Sequence, residues 1–246
     1  MRLFRKILLF LMFLSSLPIS YTRAEWKIQL FLGKSFTLKS DLRLKQPSRQ
    51  NDLTFHDVKY SDASFKTPLY YGLRVSYFPT GSSHLGLEAE FIHAKIYSDA
   101  QQVVHVSGIR QGKPMDSVIS LGDIVQGFSM SHGLNFLFFN LVGRVGTLKN
   151  KNDRLDKIGL YGRVGIGPLI PHTESVIGGE EKAQYELHGP AYQLAVGSEI
   201  NIWEKIDLLL EYKYTFTNAK GIKIPYGHAE TELKTSHLVF GVGGKF

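Results

Sequence analysis

Cysteine is absent from all 246 residues. That excludes disulfides and every thiolate-based metal or nucleophile site, so an exported chain of this length must hold together by other means. After its first residues the chain also lacks any apolar run near the ~20 residues that a membrane helix needs. Missing too are a G-x-S-x-G elbow, an H-E-x-x-H motif and a phosphate loop. The G-I-G of Gly165 to Gly167 is a fragment of a dinucleotide fingerprint and falls inside a strand pattern. Acidic residues are the minority, 22 against 29 basic, for a formal charge of +7. An exported chain of that sign meets anionic lipid or lipopolysaccharide first, and no nucleic-acid partner is expected.

What is present points to β structure. The 24 glycines and 12% aromatic residues suit many turns and strands. Met1 to Lys6 carries three basic side chains, Ile7 to Leu14 is apolar, and Tyr21 to Ala24 ends in a small residue. Residues 1–24 therefore read as a cleaved signal peptide, too short in its apolar part to span a bilayer, and 25–246 as one domain.

From Ser236 the chain alternates Leu238, Phe240, Val242 and Phe246 against His237, Val239, Gly241 and Lys245. This strand, ending on an aromatic residue, has the form of the carboxy-terminal signal read by the barrel-assembly machinery. Seven earlier segments share the pattern. They run from Trp26 to Gly33, Leu69 to Phe78, Leu85 to Tyr97, Met130 to Val145, Ile158 to Ile170, Tyr192 to Ile202 and Ile206 to Phe216.

The connections alternate long and short. Long segments cover about 37–67, 98–126, 171–190 and 217–232; between them fall Pro79 to Ser82, the charged turn Leu148 to Lys157, and Trp203 to Lys205. This predicts an all-β, eight-stranded antiparallel up-and-down transmembrane barrel with four long extracellular loops, placed in the bacterial outer membrane. A soluble sandwich has shorter strands and no strict alternation of loop length. On strand four the oily face is read as Leu134, Phe136, Phe138 and Val142. The inward set holds Lys27, Gln29, Arg74, Glu88, Glu90, Arg163, Glu199, Glu211 and Lys213. Charges of both signs fill so narrow a lumen, so no porin is expected. Tyr71, Tyr77, Trp203, Tyr214 and Phe216 near strand ends suit aromatic girdles.

Histidines mark the upper ends of three neighbouring strands. His93 and Lys95 continue the lipid-facing parity of Phe91, His132 that of Leu134, and His172 with Glu174 that of Ile166. Imidazoles and a carboxylate converging on one patch offer what iron or manganese needs, with positions left open for substrate or oxygen. A histidine and glutamate pair serves equally as a general base and its orienter.

Several runs carry a resemblance. PLYYGLRVSYF (Pro68 to Phe78), GLEAEFIHAKIY (Gly86 to Tyr97), SHGLN (Ser131 to Asn135) and GRVGIGPLIPHTES (Gly162 to Ser175) are four of them. GPAYQ (Gly189 to Gln193), LLLEYKYTF (Leu208 to Phe216), ELKTSH (Glu232 to His237) and FHDV (Phe55 to Val58) complete the set. Together they resemble the lipid A oxidase family of outer-membrane barrels, with F-I-H-A-K and P-H-T-E the most specific segments. Residues 102–126 stand outside the resemblance.

The resemblance implies oxygen-dependent oxidation of the proximal glucosamine of lipid A to 2-aminogluconate, with molecular oxygen as co-substrate. It points to His93, Lys95, His132, His172 and Glu174 as the site without fixing their roles. By their chemistry His132, His172 and Glu174 are expected to hold a divalent metal or move the proton, with His93 as a further catalytic ligand and Lys95 on a lipid A phosphate. The partner is lipid A in the outer leaflet, and a monomer is expected. The alternative is a non-enzymatic surface barrel of the OmpA or opacity type. A lipid A deacylase, third, requires a serine beside a histidine on the outer wall; His105 and Ser107 have that spacing but lie in an expected loop.

Overall fold

Alternating side chains require extended backbone with two unlike faces, and fourteen strands answer that pattern. The computed structural model describes residues 24–80, 83–145 and 158–246. Residues 1–23 of the expected signal peptide and the charged turn Leu148 to Lys157 lie outside the described residues. In chain order the strands are β1 (Glu25–Thr37), β2 (Ser40–Gln46), β3 (Asn51–Val58), β4 (Tyr60–Ser61), β5 (Tyr71–Phe78), β6 (Leu85–Ser98) and β7 (Val103–Arg110). Then follow β8 (Lys113–Ser120), β9 (Val125–Val145), β10 (Ile158–Ile177), β11 (Glu180–Tyr185), β12 (His188–Trp203), β13 (Ile206–Ile224) and β14 (Gly227–Lys245).

Eight of them close a ring: β1, β5, β6, β9, β10, β12, β13 and β14, with β14 pairing back onto β1 from Lys27↔Lys245 to Thr37↔Thr235. Closure leaves no sheet edge, the condition for a β structure to span lipid. Among the described residues no helix is long and apolar enough to cross a membrane.

The two faces partition as lipid demands. Leu87 is 63% exposed and Phe139 61%, whereas Arg74 is fully buried. That inversion of the soluble pattern, on a closed even-numbered barrel, makes this a bacterial outer-membrane protein. Within the lumen three cations face three carboxylates. Arg74 reaches Glu90 and Glu211, each at 2.8 Å; Arg163 binds Glu88 at 2.8 Å and also Glu211; Lys213 binds Glu90. Asn140 and Gln193 donate to the same carboxylates. This densely bonded layer fills the barrel interior. On the extracellular side of Arg74 lies the ring of Phe31, in space that Gly72 leaves open: a Cβ there would fall 2.0 Å from the ring.

Two expectations are corrected. On β9, Leu134, Phe136, Phe138 and Val142 are buried inside the barrel, while Phe139 and Leu141 face lipid. The register fixes this, because Phe139 lies opposite Ala89 and Ile166, and cross-strand partners share a face. The misreading has a physical cause: residues 136–142 are apolar on both parities apart from Asn140, which belongs to the lumen network.

The second correction concerns the long connections, which are mostly strand. Above the membrane β14 continues laterally into β2, β3, β7 and β8. That extracellular sheet buries Leu42, Leu44, Leu53, Phe55, Val104 and Val106 against Ile124, Phe128, Ile177 and Ile222. The hood's core is continuous with the barrel interior through residues such as Ile92, Phe136 and Phe138, and its polar outer face hid the alternation.

Candidate metal centre on the outer wall

The apolar band ends at Phe91 on β6 and near Ile170 on β10; just above it the ladder breaks on both sides of β9. Ala94 pairs Leu134 and Ile96 pairs Met130, so one residue of β6 opposes three of β9. On the other side Pro171 pairs Leu134 and Glu174 pairs Ser129. Ser131, His132 and Gly133 form the bulge, and Gly133 turns it with φ 138°. A Cβ at Gly133 would strike the Asn135 side chain at 2.2 Å. Bulges re-aim side chains, and this one turns His132 outward although regular parity would place it with the buried Leu134.

Three expected residues meet there. Nδ1 of His132 lies 2.6 Å from Oε1 of Glu174 and 2.9 Å from Oγ of Ser131. Nδ1 of His172 lies 3.4 Å from the same Oε1, is buried, and makes no hydrogen bond. One ligand atom from each of His132, His172 and Glu174 falls within 4.8 Å of the other two. The imidazoles meet edge to face at 5.1 Å, and Tyr185 of β11 packs on His172 with ring centres 4.4 Å apart. Partial burial alone raises the Glu174 pKa, but hydrogen bonds from Ser131 and His132 and the two nearby imidazoles outweigh it and hold the carboxyl below its ordinary value.

His93 and Lys95 are placed differently. His93 sits one strand over, its Nδ1 2.8 Å from Oδ1 of Asn135 and its ring stacked on Tyr71 at 5.0 Å. Its Nε2 is buried without a hydrogen bond. Lys95 is buried, and its ammonium donates to the Lys66 carbonyl at 2.8 Å. It ties down the segment leading to β5 instead of joining the trio. Sequence reasoning missed Ser131, Asn135, Tyr71 and Tyr185 as site residues. The first two stand inside the S-H-G-L-N run, whereas Tyr185 carried no signal because its strand was read as loop.

No protein-family model matches the chain, and no curated protein matches it. Among solved structures it is similar to Neisserial surface protein A, with 10% identity over 90% of this chain and 97% of that one and a TM-score of 0.41. It is similar to the outer membrane protein AlkL, with 14% identity, 94% of each chain covered and a TM-score of 0.47. The outer membrane protease OmpT from Escherichia coli matches with 10% identity over 94% of this chain and 99% of that one, TM-score 0.46. Likenesses this loose carry no activity across.

Proposed function

We propose that this protein oxidises lipid A at its proximal glucosamine, with dioxygen as electron acceptor, at a metal-dependent site formed by His132, His172 and Glu174. The observation that carries it is the donor set: two imidazoles and one carboxylate gathered within 4.8 Å on the outer wall. Such a trio suits iron(II) or manganese(II) and leaves the remaining positions open for oxygen and substrate. The buried, unbonded Nδ1 of His172 fits the reading, since a purely structural surface barrel gives that nitrogen no use.

When bound, the metal would mediate passage of two electrons from the anomeric carbon to dioxygen. In the overall balance the sugar loses two electrons and two protons, dioxygen becomes hydrogen peroxide, and water opens the lactone to aminogluconate. The protein's residues position and hold. The bulge on β9 aims His132 outward, Ser131 orients its ring, and Asn135 with Tyr71 fixes the ring of His93, whose Nε2 is unbonded. Lys95 holds the rim segment through the Lys66 carbonyl. Lipid A reaches such a site by lateral diffusion, and the assembly machinery reads β14 during insertion.

Oxygen uptake by the purified barrel in lipid A micelles tests this. Chelation should abolish lipid-dependent uptake, and iron(II) or manganese(II) should restore it. Uptake that survives complete chelation would refute the metal site.

A further inference from the structure

We propose that Asp41, His56 and Ser107 form a second, hydrolytic site on the outer face of the extracellular sheet, with Ser107 as nucleophile, His56 as base and Asp41 as its orienting carboxylate, acting on short carboxylic esters. The fold assembles it from three strands. Thr54 of β3 lies opposite Ser107 of β7, so His56, two residues on, shares the face of Ser107. A register break in β2 between Ser40 and Leu42 leaves Asp41 beside them.

The distances follow the order a hydrolytic serine needs. Oγ of Ser107 is 2.8 Å from Nε2 of His56, and Nδ1 of His56 is 3.1 Å from Oδ2 of Asp41. The other oxygen of Asp41 accepts the Asp57 backbone N–H at 3.1 Å. With its Nδ1 proton donated to Asp41, His56 keeps the Nε2 lone pair to accept the serine proton. Backbone strain sits beside His56, where Asp57 has φ 54°; next to Ser107 the chain takes φ 130° at Gly108, a conformation open to glycine. His105 stacks on His56, ring centres 5.0 Å apart and planes 20° apart, and is itself held by Asp116 at 2.6 Å. It is a positioning residue.

Beside the two imidazoles opens a cleft of about 570 Å³ lined by Val103, Val104, Gln102, Lys39 and Lys59. Val103, exposed on the same strand face as His105 and Ser107, supplies an apolar wall for an acyl group. In the reaction the Ser107 proton moves to His56 Nε2 as Oγ bonds the carbonyl carbon; that proton then leaves with the departing alcohol as the ester C–O bond breaks. Water, losing a proton to the same nitrogen, attacks the acyl-serine. The carboxylic acid departs and the proton returns to Ser107.

The full mature chain in detergent micelles is treated with a fluorophosphonate and digested for mass spectrometry, and hydrolysis of p-nitrophenyl butyrate is followed in parallel. Wild-type protein should carry the phosphonyl group on Ser107. Ester turnover should fall by about 10³-fold or more in Ser107→Ala and His56→Gln, and by about 10²-fold or more in Asp41→Asn. Circular dichroism shows whether each variant keeps its sheet. An unlabelled Ser107 in folded protein, label on another serine, or undiminished labelling in folded His56→Gln would overturn the proposal.

Discussion

Glu174 is the residue on which both imidazoles of the outer-wall trio converge, so its protonation decides whether the cluster holds. Its folded pKa lies below the ordinary value for a glutamate, held there by hydrogen bonds from Ser131 and His132 and the nearby imidazoles against the opposing effect of partial burial. The stabilisation it contributes is therefore fully present above about 4.5 and is lost as pH falls through the folded value. Thermal melts of metal-free wild type and Glu174→Gln between about pH 3 and pH 6 check this sign: the difference should level off on the neutral side and shrink on the acid side. The same variant should bind iron(II) at least about 10-fold more weakly by calorimetry. At this scale the trio was legible because histidine and glutamate are conspicuous at the ends of oily strands. The roles of neighbours were not: whether Lys95 faces a phosphate or a backbone carbonyl depends on where 62–70 folds, which no local pattern states.

At the scale of elements, the bulge of β9 is what builds the site. Gly133→Ala forces a side chain into φ 138° and onto Asn135. It should cost about 1–3 kcal/mol in denaturant unfolding and weaken iron(II) binding, because His132 is re-aimed. Gly159→Ala on β10, where an added Cβ meets nothing within 4 Å, is the control and should leave iron(II) affinity unchanged. A strand with one polar and one oily parity, such as β13, was readable residue by residue; β6 was readable up to Phe91, beyond which His93 and Lys95, expected on the lipid face, are buried. β9 was not, since both its parities are apolar, and its inverted reading placed His132 outward for the wrong reason: the bulge, not the parity, puts it there. The hood strands were hidden because their inner leucines and valines alternate with charged residues over short stretches broken by turns.

At the scale of the whole molecule, the lumen layer ties four of the eight ring strands together through charge, and two more through the amides of Asn140 and Gln193. Arg74→Ala leaves Glu211 and part of Glu90 buried without that guanidinium, so guanidinium unfolding in detergent should show a loss of about 3–5 kcal/mol. Barrel closure and strand number were legible from the alternation of long and short connections, a property of the entire chain that no single strand carries. The upper sheet turns the protein into two parts with different solvents: a lipid-facing wall bearing the histidine trio, and a water-facing hood bearing Asp41, His56 and Ser107.

The proposed activity is oxidation of lipid A at the outer-wall trio. Mass spectrometry of lipid A from aerobic cells making wild-type protein or His172→Ala tests it most directly. Wild type should add one oxygen atom, about 16 mass units, and the variant should add none. Unmodified lipid A beside correctly inserted wild-type barrel, or full oxidation by the variant, would contradict it.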